Sequence, residues 1–203
     1  MDARLGPPRA QGLAHRTSKR DLMDQDQILA MFRKSGALLE GHFRLTSGLH
    51  SDRYLQCALV LQHPAYAAEL GEALATRLHK LAGIPDLVVA PALGGILVAH
   101  EVARSLGVRG LFAERQDGVL KLRRGFKIEA GERCFVVEDV VTTGGSTIKA
   151  IERARSEGML VERVVVLMDR QEGGIEKIKD FVPDVVSIIT KEELLSASHQ
   201  KED

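Results

Sequence analysis

Only two cysteines, Cys57 and Cys134, occur in the 203 residues, and both lie in apolar surroundings. That scarcity excludes a disulfide-stapled framework and a cysteine-based metal site. It predicts two buried free thiols in a reducing compartment, the cytoplasm. Neither charge is in excess, since Lys plus Arg and Asp plus Glu number 28 each. No global field therefore favours nucleic acid or an anionic membrane, and an anionic ligand must be held by local placement of charge. There is no apolar run long enough to cross a bilayer, no apolar core of a secretory signal, no internal repeat and no low-complexity tract. His42, His50 and His63 show no metal-ligand spacing.

What is present is enough apolar sequence for one good core: 44% of the chain is hydrophobic and 28% charged. Residues 1–22 carry scattered basic residues and Gly6-Pro7-Pro8 without apolar periodicity, and are expected to form a disordered extension. Residues 23–203 are expected to form a single domain. From Leu87 onward, near-continuous apolar runs (87–90, 108–113, 134–138, 164–168, 185–189) alternate with helical patterns such as 96–106. That alternation predicts an α/β fold, a mostly parallel sheet with helices on both faces, whose ligands bind at the carboxyl ends of the strands. A helix over 64–80 is expected to pack on the sheet through Tyr66, Leu70, Ala73, Leu74 and Leu78.

The most informative stretch is 135–149, Phe-Val-Val-Glu-Asp-Val-Val-Thr-Thr-Gly-Gly-Ser-Thr-Ile-Lys. An apolar strand ends in Glu138 and Asp139. Val140, Val141, Thr142, Thr143, Gly144, Gly145, Ser146 and Thr147 then lead into a helix. Backbone N–H groups, hydroxyls and close-approach glycines at the positive end of a helix dipole make a phosphate site. The two acids would repel a bare phosphate, so they are expected a few ångströms away, on sugar hydroxyls or hydrated magnesium. A sugar phosphate is the ligand this suggests. Both the Walker pattern and the dinucleotide fingerprint are absent. The plainer alternative is a strand-to-helix turn capped by Ser146 or Thr147.

This stretch resembles the phosphoribosyl-pyrophosphate signature of the type I phosphoribosyltransferases. Further blocks are similar, in order and spacing, to the orotate phosphoribosyltransferases: Ser47-Gly48 with Ser51 and Tyr54, 90–95, 112–115 and 169–174. The likeness runs from about Asp26 to Leu195. It implies a type I phosphoribosyltransferase fold, Rossmann-like, with a small hood built from about 40–60 and the C-terminal segment. It also implies Mg2+-dependent transfer of ribose 5-phosphate from phosphoribosyl pyrophosphate to orotate, in pyrimidine biosynthesis. The magnesium would be held mainly by substrate.

By the same resemblance, Glu138, Asp139 and Arg115 are the catalytic candidates. Gly94 and Gly95 belong to a pyrophosphate loop, whose glycines allow N–H groups to converge on an oxyanion. Arg115, Gln116 and Lys121 lie on a hairpin with an Asp117-Gly118 turn that acts across subunits of a homodimer. Arg170 would hold the orotate carboxylate as a bidentate pair, with Thr142 and Tyr54 also on the base. The chain departs from the family at Thr46, Gly94, Gln116 and Val119, where lysines are usual; Lys121, Arg123 and Arg124 are the candidate substitutes on the hairpin. Two rivals follow from these departures: a transferase for another base, and a non-catalytic phosphoribosyl-pyrophosphate-binding regulator.

Overall fold

The computed structural model describes residues 23–44, 50–79 and 83–196. The expected N-terminal extension, Thr46 and the Ser47-Gly48 turn lie outside the described residues. The chain enters through helix α1 (Gln25–Lys34). Asp24 accepts a hydrogen bond from the Gln27 N–H at 2.8 Å while the Gln27 side chain accepts from the Asp24 N–H at 3.1 Å. This reciprocal cap satisfies two N–H groups that a helix start leaves unpaired. Strands β1 (Leu38–Arg44) and β2 (His50–Leu55) form a separate antiparallel pair, in the segment from which a hood was expected. Helices α2 (Cys57–Leu61) and α3 (Pro64–His79) follow.

The remaining elements are β3 (Leu87–Pro91), α4 (Gly95–Leu106), β4 (Arg109–Gln116), β5 (Val119–Leu122), β6 (Arg133–Val141), α5 (Gly145–Ser156), β7 (Leu160–Asp169), α6 (Gly174–Lys179), β8 (Val185–Thr190) and α7 (Lys191–Ser196). They build one six-stranded sheet in the order β5-β4-β3-β6-β7-β8. Every pairing is parallel except that of β5, which folds back on β4. The mostly parallel sheet predicted from the apolar runs is therefore the observed one.

Both sheet faces are covered because side chains alternate along each strand. Val88, Ala90, Phe135, Val137, Val165 and Leu167 pack with α1 to α4, including Leu70, Leu74 and Leu78 of α3. Leu87, Val89, Cys134, Val136, Val164 and Val166 pack with α5 and α6 on the opposite face. Both cysteines are free and buried. Burial pushes the Cys57 thiol well up and the Cys134 thiol up to about 12, so neither is an available thiolate near neutral pH.

The order of the strands locates the site. The chain runs from β3 outward to β4 and β5, then returns to the other side of β3 with β6, β7 and β8. The connections after β3 and β6 therefore diverge from adjacent strand ends, which leaves a crevice between them.

Candidate functional site

Strand β6 is longer than its apolar run suggested. Val140 pairs with Met168 and Val141 with Asp169, so the ladder continues past the two acids. Glu138 and Asp139 are thus fixed in a strand rather than carried on a loop, and they face different surroundings. Glu138 is only 4% exposed. One of its oxygens accepts hydrogen bonds from Ser146 Oγ at 3.1 Å and Thr147 Oγ1 at 3.2 Å. Asp139 is half-buried at the crevice.

The two carboxyls titrate as a pair. Burial, followed by the neighbouring Asp139 charge, pushes Glu138 up to about 8. Burial also raises Asp139, but the hydrogen bond from Glu138 opposes that rise. Two adjacent carboxyls in a desolvated place cannot both ionise cheaply, so the pair resists losing its last proton. Asp139 is the carboxyl that is open to the crevice, and Glu138 is buried behind it.

Helix α5 begins two residues earlier than a Ser146 cap would have it, and three earlier than a Thr147 cap. Gly144, with φ of 79°, is its N-cap, and Ile148 N–H donates to the Gly144 carbonyl at 2.9 Å. The Ser146 and Thr147 hydroxyls do not cap the helix; they reach back to Glu138. Thr147 is fully buried and its hydroxyl is committed to Glu138. The N–H groups of Gly145, Ser146 and Thr147 precede the first intrahelical bond and form the donor end of α5. Thr143, Gly145 and Ser146 are exposed there, Thr142 is half-buried, and Val141 is buried.

The loop after β3 lies against the acids. The Ala92-Leu93 peptide is cis, and α4 starts at Gly95. A methyl group on Gly94 would fall 2.6 Å from Asp139 Oδ1, and one on Gly95 would fall 3.1 Å from the Val137 carbonyl and 3.3 Å from Glu138 Oε1. A side chain at 94 would require the Asp139 carboxylate to shift. Gly94 and Gly95 let one backbone come within van der Waals reach of the other.

Arg170 follows β7 directly. Its N–H donates to the Val141 carbonyl at 3.0 Å, and its guanidinium, largely buried, lies 3.2 Å from Glu172 Oε1. Asp169 accepts from the Gln171 N–H at 2.8 Å. Cys57 Sγ, at the start of α2, is 4.0 Å from the Asp139 carbonyl oxygen; α2 thus joins the hood to the crevice. Tyr54 lies on β2, opposite Leu39 of β1.

Arg115 and Gln116 end β4, and Lys121 lies on β5. The predicted hairpin is present: Arg115 pairs with Leu120 and Gln116 with Val119. Asp117 and Gly118, with φ of 53° and 79°, make its turn, as a two-residue hairpin requires. Arg115 is exposed. Lys121 Nζ donates to Gln116 Oε1 at 3.3 Å. Arg124 makes two hydrogen bonds to Glu114, at 2.9 and 2.8 Å, and Arg123 Nε is 3.9 Å from the same carboxylate. Arg123 and Arg124, considered above as substitutes for missing lysines, are thus partly neutralised by their own hairpin.

Two features of this region had no reading in the sequence. One is the Glu138 clamp on Ser146 and Thr147, whose eight- and nine-residue separations cross a strand, a turn and a helix start. The other is the Gly173-Gly174 pair. A methyl group on Gly174 would overlap the Thr142 carbonyl oxygen and lie 2.6 Å from Val141 Cγ1 and 2.8 Å from Gly144 N. The phosphate-type loop rests on that glycine.

With this geometry established, comparisons with known proteins are decisive. Residues 58–197 match the model of the phosphoribosyl transferase domain. The chain belongs to the phosphoribosyltransferase family. A relative from Pelotomaculum thermopropionicum, named orotate phosphoribosyltransferase, is 58% identical over 154 residues, covering 76% of this chain and 80% of the relative. The crystal structure of orotate phosphoribosyltransferase from Aeropyrum pernix superposes with a TM-score of 0.72 at 28% identity, covering 85% of this chain and 98% of the other. That of adenine phosphoribosyltransferase from Thermoanaerobacter pseudethanolicus gives 0.64 at 21% identity, covering 82% and 99%. The phosphoribosyltransferase fold is thus shared across different bases, and the base is a matter for individual residues.

Proposed function

We propose that this phosphoribosyltransferase transfers ribose 5-phosphate from phosphoribosyl pyrophosphate to N1 of orotate, giving orotidine 5'-monophosphate and pyrophosphate. The observation that carries the proposal is the meeting, at one strand-order reversal, of the α5 N-terminus, the Asp139 carboxylate, the glycine loop against it and the Arg170 guanidinium. The high identity to relatives named for orotate supports the choice of base.

In this reading the 5-phosphate sits on the N–H groups of residues 143–147, with Ser146 and Thr147 hydroxyls committed to Glu138. Asp139 grips the ribose hydroxyls while Glu138 holds it in place. Gly94 and Gly95 present backbone to the pyrophosphate, the part a family lysine would play. Arg115, with Lys121 and Gln116 beside it, neutralises charge on the leaving group, from the partner's hairpin in a homodimer. Arg170 takes the orotate carboxylate, and Thr142 and Tyr54 complete the base site.

The donors available suit magnesium held by substrate. Asp139 is a hard oxygen donor open to the crevice, and among the described residues no group of three or more His, Cys, Asp or Glu is placed to cage a metal; Mg2+ characteristically takes one or two carboxylates and fills its shell with phosphate and water. When bound, Mg2+ would offset the charge of the pyrophosphate. The C1–O bond to pyrophosphate breaks with its electron pair leaving on oxygen, and the N1–C1 bond forms as the N1 proton passes to water or to the departing pyrophosphate. The protein contributes orientation and fixed dipoles, which together remove several kcal/mol from such a barrier.

Incubating the purified chain with orotate, phosphoribosyl pyrophosphate and Mg2+ should deplete the orotate absorbance. Turnover of uracil or a purine but not orotate would reassign the base. Binding of phosphoribosyl pyrophosphate without turnover of any base would make the chain a regulator.

A further inference from the structure

Residues 170–174 touch the phosphate-type loop at both of their ends. At one end the Arg170 N–H donates to the Val141 carbonyl at 3.0 Å. At the other, Gly174 is pressed on the Thr142 carbonyl and lies so close to Gly144 N that a methyl group there would be 2.8 Å away. Between them the chain takes an unusual path. Gln171 has φ of 55° and Gly173 has φ of 78°, both in the left-handed region, which non-glycine residues enter only when their surroundings hold them there.

The hold on Gln171 comes from three hydrogen bonds. Its N–H donates to Asp169 Oδ1 at 2.8 Å. Its side-chain oxygen accepts from the Glu192 N–H at 2.8 Å, and its side-chain nitrogen donates to Glu192 Oε2 at 3.4 Å. The segment is thus pinned from outside by α7 and pressed inward on the loop by Gly174. It carries the guanidinium at one end and supports the anion loop at the other.

We propose that residues 170–174 form a bracket that couples the base subsite to the 5-phosphate subsite, with Gln171 and Gly174 as positioning residues. The inference rests on the reading above, in which Arg170 meets the orotate carboxylate and residues 142–147 meet the 5-phosphate. Neither positioning residue touches substrate in that reading. Gln171 acts by fixing the turn after Arg170, and Gly174 acts by leaving room for the Thr142 carbonyl. Closing either subsite sets the bracket, so the second ligand meets a site already ordered. Because the bracket contacts the loop at both of its ends, a change at either end should weaken both ligands, and each ligand should strengthen the other by the same factor.

The test measures binding of each half of the reaction separately, by calorimetry on the full chain: ribose 5-phosphate for the loop and orotate for the guanidinium. Gln171→Ala, at the base end, and Gly174→Ala, at the phosphate end, should each weaken both ligands by on the order of tenfold, within the usual range for coupled sites. The reversed pair, Gln171→Glu with Glu192→Gln, preserves a donor and an acceptor across the contact and should recover most of the loss, which a general loosening of the fold would not allow. If Gly174→Ala fails to fold, the Gln171→Ala and reversed-pair measurements decide alone. The bracket is overturned if Gln171→Ala weakens orotate only, or if Gly174→Ala weakens ribose 5-phosphate only. Failure of the wild-type chain to bind either probe would instead reject the functional reading itself, and the coupling with it.

Discussion

The loop after β6 and the β4–β5 hairpin both carry charge to the crevice, and they are built in opposite ways. The first is fixed from behind. Glu138 holds Ser146 and Thr147, Gly94 abuts Asp139, and Gly174 backs Thr142 and Gly144. The second projects from the sheet edge on a two-residue turn, its charges exposed and tied to one another through Glu114. One region has its geometry set before a ligand arrives, and the other can move its charges at the cost of weak surface pairs. A transferase that must grip a phosphoribosyl group and later release pyrophosphate has use for both kinds of element.

The largest expected effect lies in the fixed region. Asp139→Asn removes the charge at the crevice while keeping the shape, so circular dichroism and melting should stay close to wild type. Turnover with orotate should fall by about 100-fold or more, the scale seen when one preorganised electrostatic contact is lost. Near-normal turnover in folded protein would mean that Asp139 lies outside the reacting region and that the contrast between the two loops has been misassigned.

Glu138→Gln tests the same region through stability. The folded-state Glu138 carboxyl is raised by burial and by Asp139, so folding favours its neutral form. Its contribution is fully present below the unfolded-state value near 4.5 and is lost as pH rises toward about 8. Glutamine, neutral at every pH, escapes that loss. The melting temperature of Glu138→Gln relative to wild type should therefore increase between pH 5 and pH 8, in ligand-free protein. A constant difference across that window would show that Glu138 is already ionised in the folded state and that the pair shares no proton.

Much of this contrast was legible before any coordinates. The sheet could be read because buried parallel strands are nearly continuous apolar runs, and the hairpin because Asp117-Gly118 supplies the left-handed turn that a two-residue connection needs. The turn between β6 and α5 was legible from its glycines and hydroxyls beside two acids. Side-chain direction was not. Hydroxyls at 146 and 147 suit a phosphate or a carboxylate equally, and only the extension of β6 through Val141 turns them toward Glu138. Likewise Arg123 and Arg124 read as free basic groups, because Glu114 lies on the opposite strand and its pairing depends on register. The contact of Gly94 with Asp139 joins residues 45 positions apart on different strand ends, and no local pattern announces it.

The smallest expected effect lies in the hairpin, and its sign separates the two regions most cleanly. Arg124 hydrogen bonds hold the Glu114 carboxyl below the usual carboxylate range, and Arg123 adds to this, so Glu114 is ionised at neutral pH and masks both guanidiniums. Exposed pairs of this kind contribute little to stability, so Glu114→Gln should shift melting by no more than about 2 °C. Freeing positive charge beside Arg115 should instead lower KM for phosphoribosyl pyrophosphate by roughly two- to threefold at low salt. The gain should vanish near 0.5 M salt, where screening reaches only about 4 Å. The comparable change in the fixed region, removing a carboxylate at Asp139, is expected to destroy turnover. An increase in KM on Glu114→Gln would show that Glu114 positions the two arginines for pyrophosphate rather than masking them, and the hairpin would then be preorganised too.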